Sequence, residues 1–313
     1  MIIVTGGAGF IGSNLVHGLN AAGVTDIVIV DNLTRGEKHL NLNPLRFADY
    51  IAKEDFFEAA ASLKNVEAVF HQGACSSTTE QNGAYMMKNN YEYSKRMLAF
   101  CEERKARLIY ASSAAVYGGG NAGFREEEAC EYPLNVYGFS KLAFDNYVRR
   151  HLPGAKIPIV GLRYFNVYGP QERHKQRMAS VAMHLFDQLA ANQPMRLFEG
   201  SAEFLRDFVH VDDVVKVNLF FLGQNRSGIF NCGSGQARSF VDIAQHLRTL
   251  RGSGELSYMP FPEDLANKYQ RFTQADLTRL RAAGCDHAFV SLEQGVGSYY
   301  RVLDRSGGYL RHA

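Results

Sequence analysis

A doubly wound α/β fold on a parallel sheet is the class this sequence predicts, on three observations. A short apolar run at residues 2–4 opens directly into a glycine-spaced turn and a helix-like stretch. Further apolar runs then alternate with helical segments along the first half of the chain. Three successive runs end in Gly-rich or Ser-rich loops, and open parallel sheets collect their ligands beyond the carboxyl ends of strands.

Composition narrows the remaining classes. The 313 residues are 46% apolar and 21% charged, which excludes a disordered or collagen-like chain. Thirty-four basic side chains against 32 acidic ones give a net charge of +2, so overall charge offers no footprint for nucleic acid. Cys75, Cys101, Cys130, Cys232 and Cys285 are widely spaced, odd in number and form no CxxC pair. Reduced thiols in a reducing compartment are expected. No apolar stretch approaches the roughly eighteen residues of a membrane span, and the early glycines leave no room for a secretory leader. A cytoplasmic protein without membrane contact is expected.

In the first unit, Gly6, Gly9 and Gly12 stand at GxxGxxG spacing before a helical stretch at residues 11–19, and a second apolar run at 27–30 ends at Asp31. The glycines allow a tight turn, close approach of a pyrophosphate, and close packing of helix on strand. Unpaired N–H groups at the helix start attract the anion. An ordinary glycine-rich turn explains one of these features but not their order, and no GKS or GKT follows to make a P-loop. Asp31 suits a ribose 2′-hydroxyl and hence NAD, whereas Asn32, Arg35, Lys38 and Lys53 suit a 2′-phosphate. These residues leave NAD and NADP both open.

Residues 66–70 read as a strand leading into HQGACSSTTE, residues 85–104 as one long helix, and residues 108–111 as a strand ending in Ser112 and Ser113. The stretch 136–147 is helical and carries Tyr137 and Lys141 four apart, on one face. An ammonium beside a phenol favours the phenolate, so a lowered Tyr137 pKa is expected, suited to proton exchange with a hydroxyl at neutral pH. Ser113 is placed to hold the same oxygen. The plainer alternative is a surface Tyr–Lys pair.

The combination of GxxGxxG, SSAAVYG and YGFSK, with RYFNVYGP and RDFVHVDD, resembles the extended short-chain dehydrogenase/reductase superfamily over nearly the whole chain. That resemblance implies a Rossmann-type doubly wound parallel sheet with a smaller C-terminal α/β substrate domain. Its expected bounds are residues 1–167 and 207–237 for the cofactor unit, and 168–206 and 238–313 for the substrate unit. HQGACSSTTE, YMMKNNYEYSK, RYFNVYGPQERHK, LFEGS and RFTQADL together resemble, more narrowly, the ADP-L-glycero-D-manno-heptose 6-epimerase family.

The narrower resemblance implies interconversion of ADP-D-glycero- and ADP-L-glycero-manno-heptose at C6″, for the inner core of lipopolysaccharide. The route is oxidation to a ketone and re-reduction with tightly held NADP, NAD being a weaker substitute. Tyr137 and Lys175 match the two acid/base groups, Ser113 the assisting serine and Lys141 the cofactor lysine. Cofactor positions match at Gly6, Gly9, Phe10, Ile11, Gly12, Asp31, Asn32, Lys38, Lys53, Gln72, Gly73, Ala74, Cys75, Ser76, Asn89 and Val167. Substrate positions match at Asn166, His184, Phe198, Glu199, Gly200, Ser201, Arg206 and Tyr269. Gln176 and Arg177 depart from the small residues common there. A homopentamer is implied by the same route, and no metal is expected.

Plainer readings exist for the substrate set. Lys175 sits in a charged run, His184 in an otherwise apolar helical stretch, and Arg206 beside Asp207 as an obvious partner. Two rival functions follow: another sugar-nucleotide epimerase or dehydratase, and a binding protein that kept the fold without the chemistry. The last third predicts a strand and turn at 228–235, an amphipathic helix at 240–250, extended chain near Pro260 and Pro262, and a frayed SGGYLRHA segment.

Overall fold

The structure is a computed structural model that describes residues 1–262 and 270–311. Its strands are β1 (Ile2–Thr5), β2 (Ile27–Asp31), β3 (Asp49–Ala52), β4 (Ala68–His71), β5 (Arg107–Ser113), β6 (Ile159–Tyr164), β7 (Asn166–Tyr168), β8 (Met195–Phe198), β9 (Leu205–His210), β10 (Gly228–Cys232), β11 (Ala237–Ser239) and β12 (Leu256–Met259). Its α-helices are α1 (Phe10–Ala21), α2 (His39–Leu42), α3 (Phe56–Ala59), α4 (Gly83–Met86), α5 (Tyr93–Arg104), α6 (Val136–His151), α7 (Val181–Ala190), α8 (Val211–Leu222), α9 (Phe240–Arg251), α10 (Thr278–Ala282) and α11 (Leu292–Ser306).

Seven strands form one sheet in the order β10-β6-β5-β4-β1-β2-β3, and every pairing in it is parallel. β1, β2, β4 and β6 are buried along their whole length, as strands covered on both faces must be. Alternate residues serve opposite cores. Ile2, Val4, Ile29 and Phe70 pack with Leu15 of α1 and Val214 of α8 on one face. Ile3, Val28, Val30 and Val69 pack with Leu98 of α5 and Phe144 of α6 on the other. A third cluster gathers Leu185, Leu197, Ile243, Val296 and Tyr299 from α7, β8, α9 and α11.

Two smaller sheets lie outside the large one, β11-β9-β7 and the parallel pair β12-β8. The fourth strand begins at Ala68 and ends at His71, two residues later than at its expected start, because Val66 packs as a loop residue beside it. The helix expected at 85–104 runs from residue 83 to 104 without a gap, with a π turn at Met87–Glu92 between α4 and α5. The SGGYLRHA segment does not fray through residue 310, since Gly307, Gly308 and Leu310 all bond to the 171–173 segment.

Candidate active site

The loops after β1, β2, β4, β5 and β6 leave the same edge of the parallel sheet. β1 and β4 are neighbours there although the chain visits β2 and β3 between them, the point at which such sheets open a ligand crevice. Gly6 has φ 69, and a Cβ built on it would lie 2.7 Å from the Gly73 nitrogen; one on Gly12 would lie 2.1 Å from the Gly6 oxygen. Larger residues are therefore excluded where the first and fourth strand-end loops meet the helix. Gly9 caps α1 without a side chain, so the N–H groups behind Phe10 and Ile11 point outward. This glycine cradle fits a dinucleotide pyrophosphate.

At the end of β2, Asp31 accepts from Ala8 N at 2.8 Å and Asn32 N at 2.7 Å, and pairs with Lys38 Nζ at 2.7 Å. Acid and lysine thus occur together. Lys53 N donates to the Asp31 carbonyl at 2.9 Å, while its Nζ reaches Asn89 Oδ1. The expected adenosine-side residues are brought to one place.

A buried polar chain ties the glycine loop to the next loop. Gly73 N donates to Thr5 Oγ1 at 3.1 Å, Thr5 Oγ1 meets His71 Nδ1 at 2.6 Å, and His71 Nε2 meets Ser94 Oγ at 2.9 Å. Ser94 in turn donates to the Asn90 carbonyl at 2.5 Å. One assignment satisfies every link: a neutral His71 with its proton on Nε2. Burial, then the Lys141 and Lys53 charges, push the His71 pKa down to about 3, which keeps it neutral.

The π turn explains itself here. Asn90 accepts from Cys75 N at 2.8 Å and donates to the Cys75 carbonyl at 2.9 Å and to Ser140 Oγ at 3.0 Å. Ser140 donates to the Tyr137 carbonyl at 2.7 Å. The extra residue of the π turn aims one amide at both the Gln72–Ser76 loop and the start of α6. Gln72 itself accepts from Tyr164 OH at 3.0 Å. Sequence reading assigned no role to Thr5, His71 or Asn90, although HQGACSSTTE opens on His71 and YMMKNNYEYSK contains Asn90.

Tyr137 and Lys141 lie in the first two turns of α6, whose start Asn135 caps by accepting from Gly138 N at 2.8 Å. The expectation for the tyrosine pKa fails. Burial raises it above the ordinary phenol value, with a hydrogen bond from Ser113 opposing. The physical reason is where the lysine points. Lys141 Nζ donates to the Ala111 carbonyl at 2.8 Å, and burial pulls its own pKa down to about 8 against the Asp145 carboxylate.

A second group unforeseen from the sequence lies behind this helix. Asp145 accepts from Tyr110 OH, Ser112 Oγ and Arg163 Nε, each at 2.9 Å. Arg163 also pairs with Glu131 at 2.6 Å, and Asp145 and Arg163 are both fully buried. The only available signal was an acid four residues after Lys141 on the same helix face.

Lys175 enters on a separate segment, a short 3-10 stretch at Arg173–Met178. Its Nζ stands 5.0 Å from the centroid of the Phe10 ring, at the start of α1, and 3.9 Å from Glu172. Burial lowers its pKa, with Glu172 opposing. The structure thus brings Lys175 to the glycine loop. Arg177 is exposed.

Of the expected substrate positions, Asn166 and Val167 open β7 directly after β6, and Phe198, Glu199, Gly200 and Ser201 make the turn that ends β8. His184 is half-buried on α7, one turn beyond Ser180. Arg206 is buried on β9, its guanidinium 5.8 Å from the Phe240 ring centroid. Asp207 is engaged elsewhere, by Ser234, Gly235 and Ala275. Ala74 and Ser76 are exposed on the loop after β4. Tyr269 lies outside the described residues.

Residues 2–233 match the NAD dependent epimerase/dehydratase family. ADP-L-glycero-D-manno-heptose-6-epimerase of Brachyspira hyodysenteriae is 59% identical over 99% of this chain and 100% of its own length. The crystal structure of the Helicobacter pylori enzyme of that name superposes with TM-score 0.85 at 32% identity, covering 97% of this chain and 96% of that one. UDP-glucuronic acid 4-epimerase from Bacillus cereus, solved with UDP-glucuronic acid and NAD, gives TM-score 0.82 at 26% identity over 97% and 99% of the two chains.

Proposed function

Because the chain belongs to the NAD dependent epimerase/dehydratase family and, within it, to the ADP-L-glycero-D-manno-heptose-6-epimerases, we propose that it inverts C6″ of ADP-D-glycero-manno-heptose to the L-glycero form for lipopolysaccharide inner-core synthesis. What supports this reading is a Tyr137–Ser113 hydrogen bond at the carboxyl end of β5, together with a second proton-handling group, Lys175, 5.0 Å from the Phe10 ring at the start of α1.

In this reading the cofactor is NADP, held by the glycine loop, Lys141, and Lys38 and Lys53 beside Asp31. When bound, it supplies the two-electron redox chemistry at C6″. The rest falls to the chain. Tyr137, as its phenolate, takes the proton of the C6″ hydroxyl while Ser113 holds that oxygen; the Ser113 hydrogen bond favours the phenolate against the burial that raises the tyrosine pKa. Inversion requires the second face of the resulting ketone, so the side chain of the sugar turns and its oxygen meets a different proton donor. Lys175 is that group, its burial favouring easy proton exchange. Arg206 and the Phe198–Ser201 turn take the ADP moiety. Residues 1–167 with 207–237 form the cofactor part, and 168–206 with 238–313 the substrate part, in a cytoplasmic homopentamer.

Incubation with ADP-D-glycero-manno-heptose followed by separation of the C6″ epimers tests the reading. The L-glycero product is expected from the natural chain, with loss of about 10²–10⁴-fold in rate for Tyr137→Phe and for Lys175→Met. An unchanged Lys175→Met rate sinks the two-base assignment and favours a 4-epimerase-like site with one.

A further inference from the structure

Lys175 lies on backbone that does not hold itself. Gln171 has φ 74 and Gln176 has φ 51, two non-glycine residues in the left-handed region within one turn of the lysine. Such conformations cost about 1–3 kcal/mol each and persist only where their surroundings over-determine them. For Gln171 the surroundings are explicit. Its side chain and backbone are fully buried, and on one side they exchange bonds with Asn41: Asn41 Nδ2 to the Gln171 carbonyl at 3.1 Å, and Gln171 Nε2 to the Asn41 carbonyl at 3.0 Å. Asn41 Nδ2 also donates to the Ala8 carbonyl at 3.0 Å, inside the glycine loop.

The other side is closed by the turn that follows α11. Gln171 N donates to the Gly308 carbonyl at 2.8 Å, Leu310 N donates to Gln171 Oε1 at 3.1 Å, and Arg173 Nε donates to the Gly307 carbonyl at 2.7 Å. That turn is itself firm. Gly307 and Gly308 take φ 64 and 95, which lets their N–H groups bond Leu303 and Val302 at 2.9 and 3.2 Å and end the helix. Ser306 Oγ closes it by donating to the Tyr309 carbonyl at 2.5 Å. At its far end α11 is anchored by a capping box between Ser291 and Gln294.

We infer that the turn at residues 307–310 is a positioning element for Lys175, acting through Gln171 and Arg173 to set the lysine against the glycine loop. The inference rests on the acid/base role proposed above for Lys175. The stack runs from the glycine loop through Asn41 and Gln171 to Gly308 and Leu310, and Lys175 hangs from its middle. A proton donor misplaced by about 1 Å loses on the order of 10²-fold in rate. Tyr137 is held by a different set of contacts, through Asn135 and Ser140, and no hydrogen bond among the described residues ties it to this turn.

Two variants test it, a chain ending at Gly308 and Arg173→Ala, each with folding followed by its thermal transition. Each is mixed separately with ADP-D-glycero- and ADP-L-glycero-manno-heptose, and the first reduction of bound nicotinamide is followed by its fluorescence, with Lys175→Met alongside. Amide exchange over residues 171–178 is measured on the same proteins. The expected result is a loss of about tenfold or more with one epimer only, the one that Lys175→Met also slows, together with faster exchange at 171–178. Equal rates with both epimers, whether intact or equally reduced, overturn the inference while Lys175→Met remains selective. A Lys175→Met protein that treats both epimers alike overturns the acid/base reading itself, and the positioning role with it.

Discussion

Gln176 holds φ 51 and ψ −124, a conformation glycine adopts freely and a residue with a Cβ does not. It is exposed, so no packing is lost if its side chain is removed. Gln176→Gly is therefore expected to stabilise the fold by about 1 kcal/mol, the relieved strain outweighing the added freedom of the unfolded chain. Urea unfolding checks it, and a glycine variant no more stable than the natural chain contradicts the strain. The sequence exposed this position only as a departure from small residues. Its backbone angle is a tertiary fact, imposed by the fixed ends of the turn at Gln171 and at the α7 cap, where Glu172 accepts from Ser180 N at 2.7 Å.

At the scale of the element, α6 is placed by charge as well as by Phe144 and Val148. Asp145 joins it to β5 through Tyr110 and Ser112 and to β6 through Arg163, with Glu131 and Arg149 completing the group. Lys141, one turn earlier, donates to the Ala111 carbonyl, and the Asp145 charge acts against the burial that lowers its pKa. Asp145→Asn leaves buried Arg163 with less compensation, at a cost of about 3–5 kcal/mol in unfolding free energy. It also removes the charge that opposes burial and holds the Lys141 pKa up to about 8, so the alkaline limb of activity moves to lower pH. Unfolding and a pH–rate profile of one variant read both effects; an unmoved alkaline limb denies Asp145 its hold on Lys141. Helix α6 and its Tyr–Lys pair were legible in the sequence because spacing of four is local. The Asp145–Arg163 pairing joins residues on different elements, and no short pattern announces it.

For the whole molecule, acid is the expected weakness. His71 and His174 are buried, and burial first, then nearby lysine charge, lowers their pKa values to about 3 and about 4. Unfolded histidines titrate at about 6.5, so below that pH the unfolded chain binds protons that the folded chain refuses. Stability is complete above about pH 6.5 and falls as the pH drops toward the folded values. At about pH 5 each histidine costs roughly 2 kcal/mol, about 4 together. Urea unfolding at pH 7 and pH 5 measures the difference, and equal stabilities refute the assignment of both rings as neutral. The two rings are far apart in sequence, yet both brace the glycine loop, His71 through Thr5 and His174 through Asn41.

Local pattern made the parallel sheet, the glycine turn and the spacing of Tyr137 and Lys141 on one helix legible, because strand burial, turn geometry and helix periodicity are set by neighbours within a few residues. Tertiary structure decided the rest. It put a π turn into the helix at 85–104 so that Asn90 reaches Cys75 and Ser140, turned Lys141 toward Ala111 and raised rather than lowered the Tyr137 pKa. It also docked a segment expected to fray onto the turn that carries Lys175. Burial and long-range hydrogen bonds act between residues that meet only when the chain is folded, and a linear pattern carries no record of who those partners are.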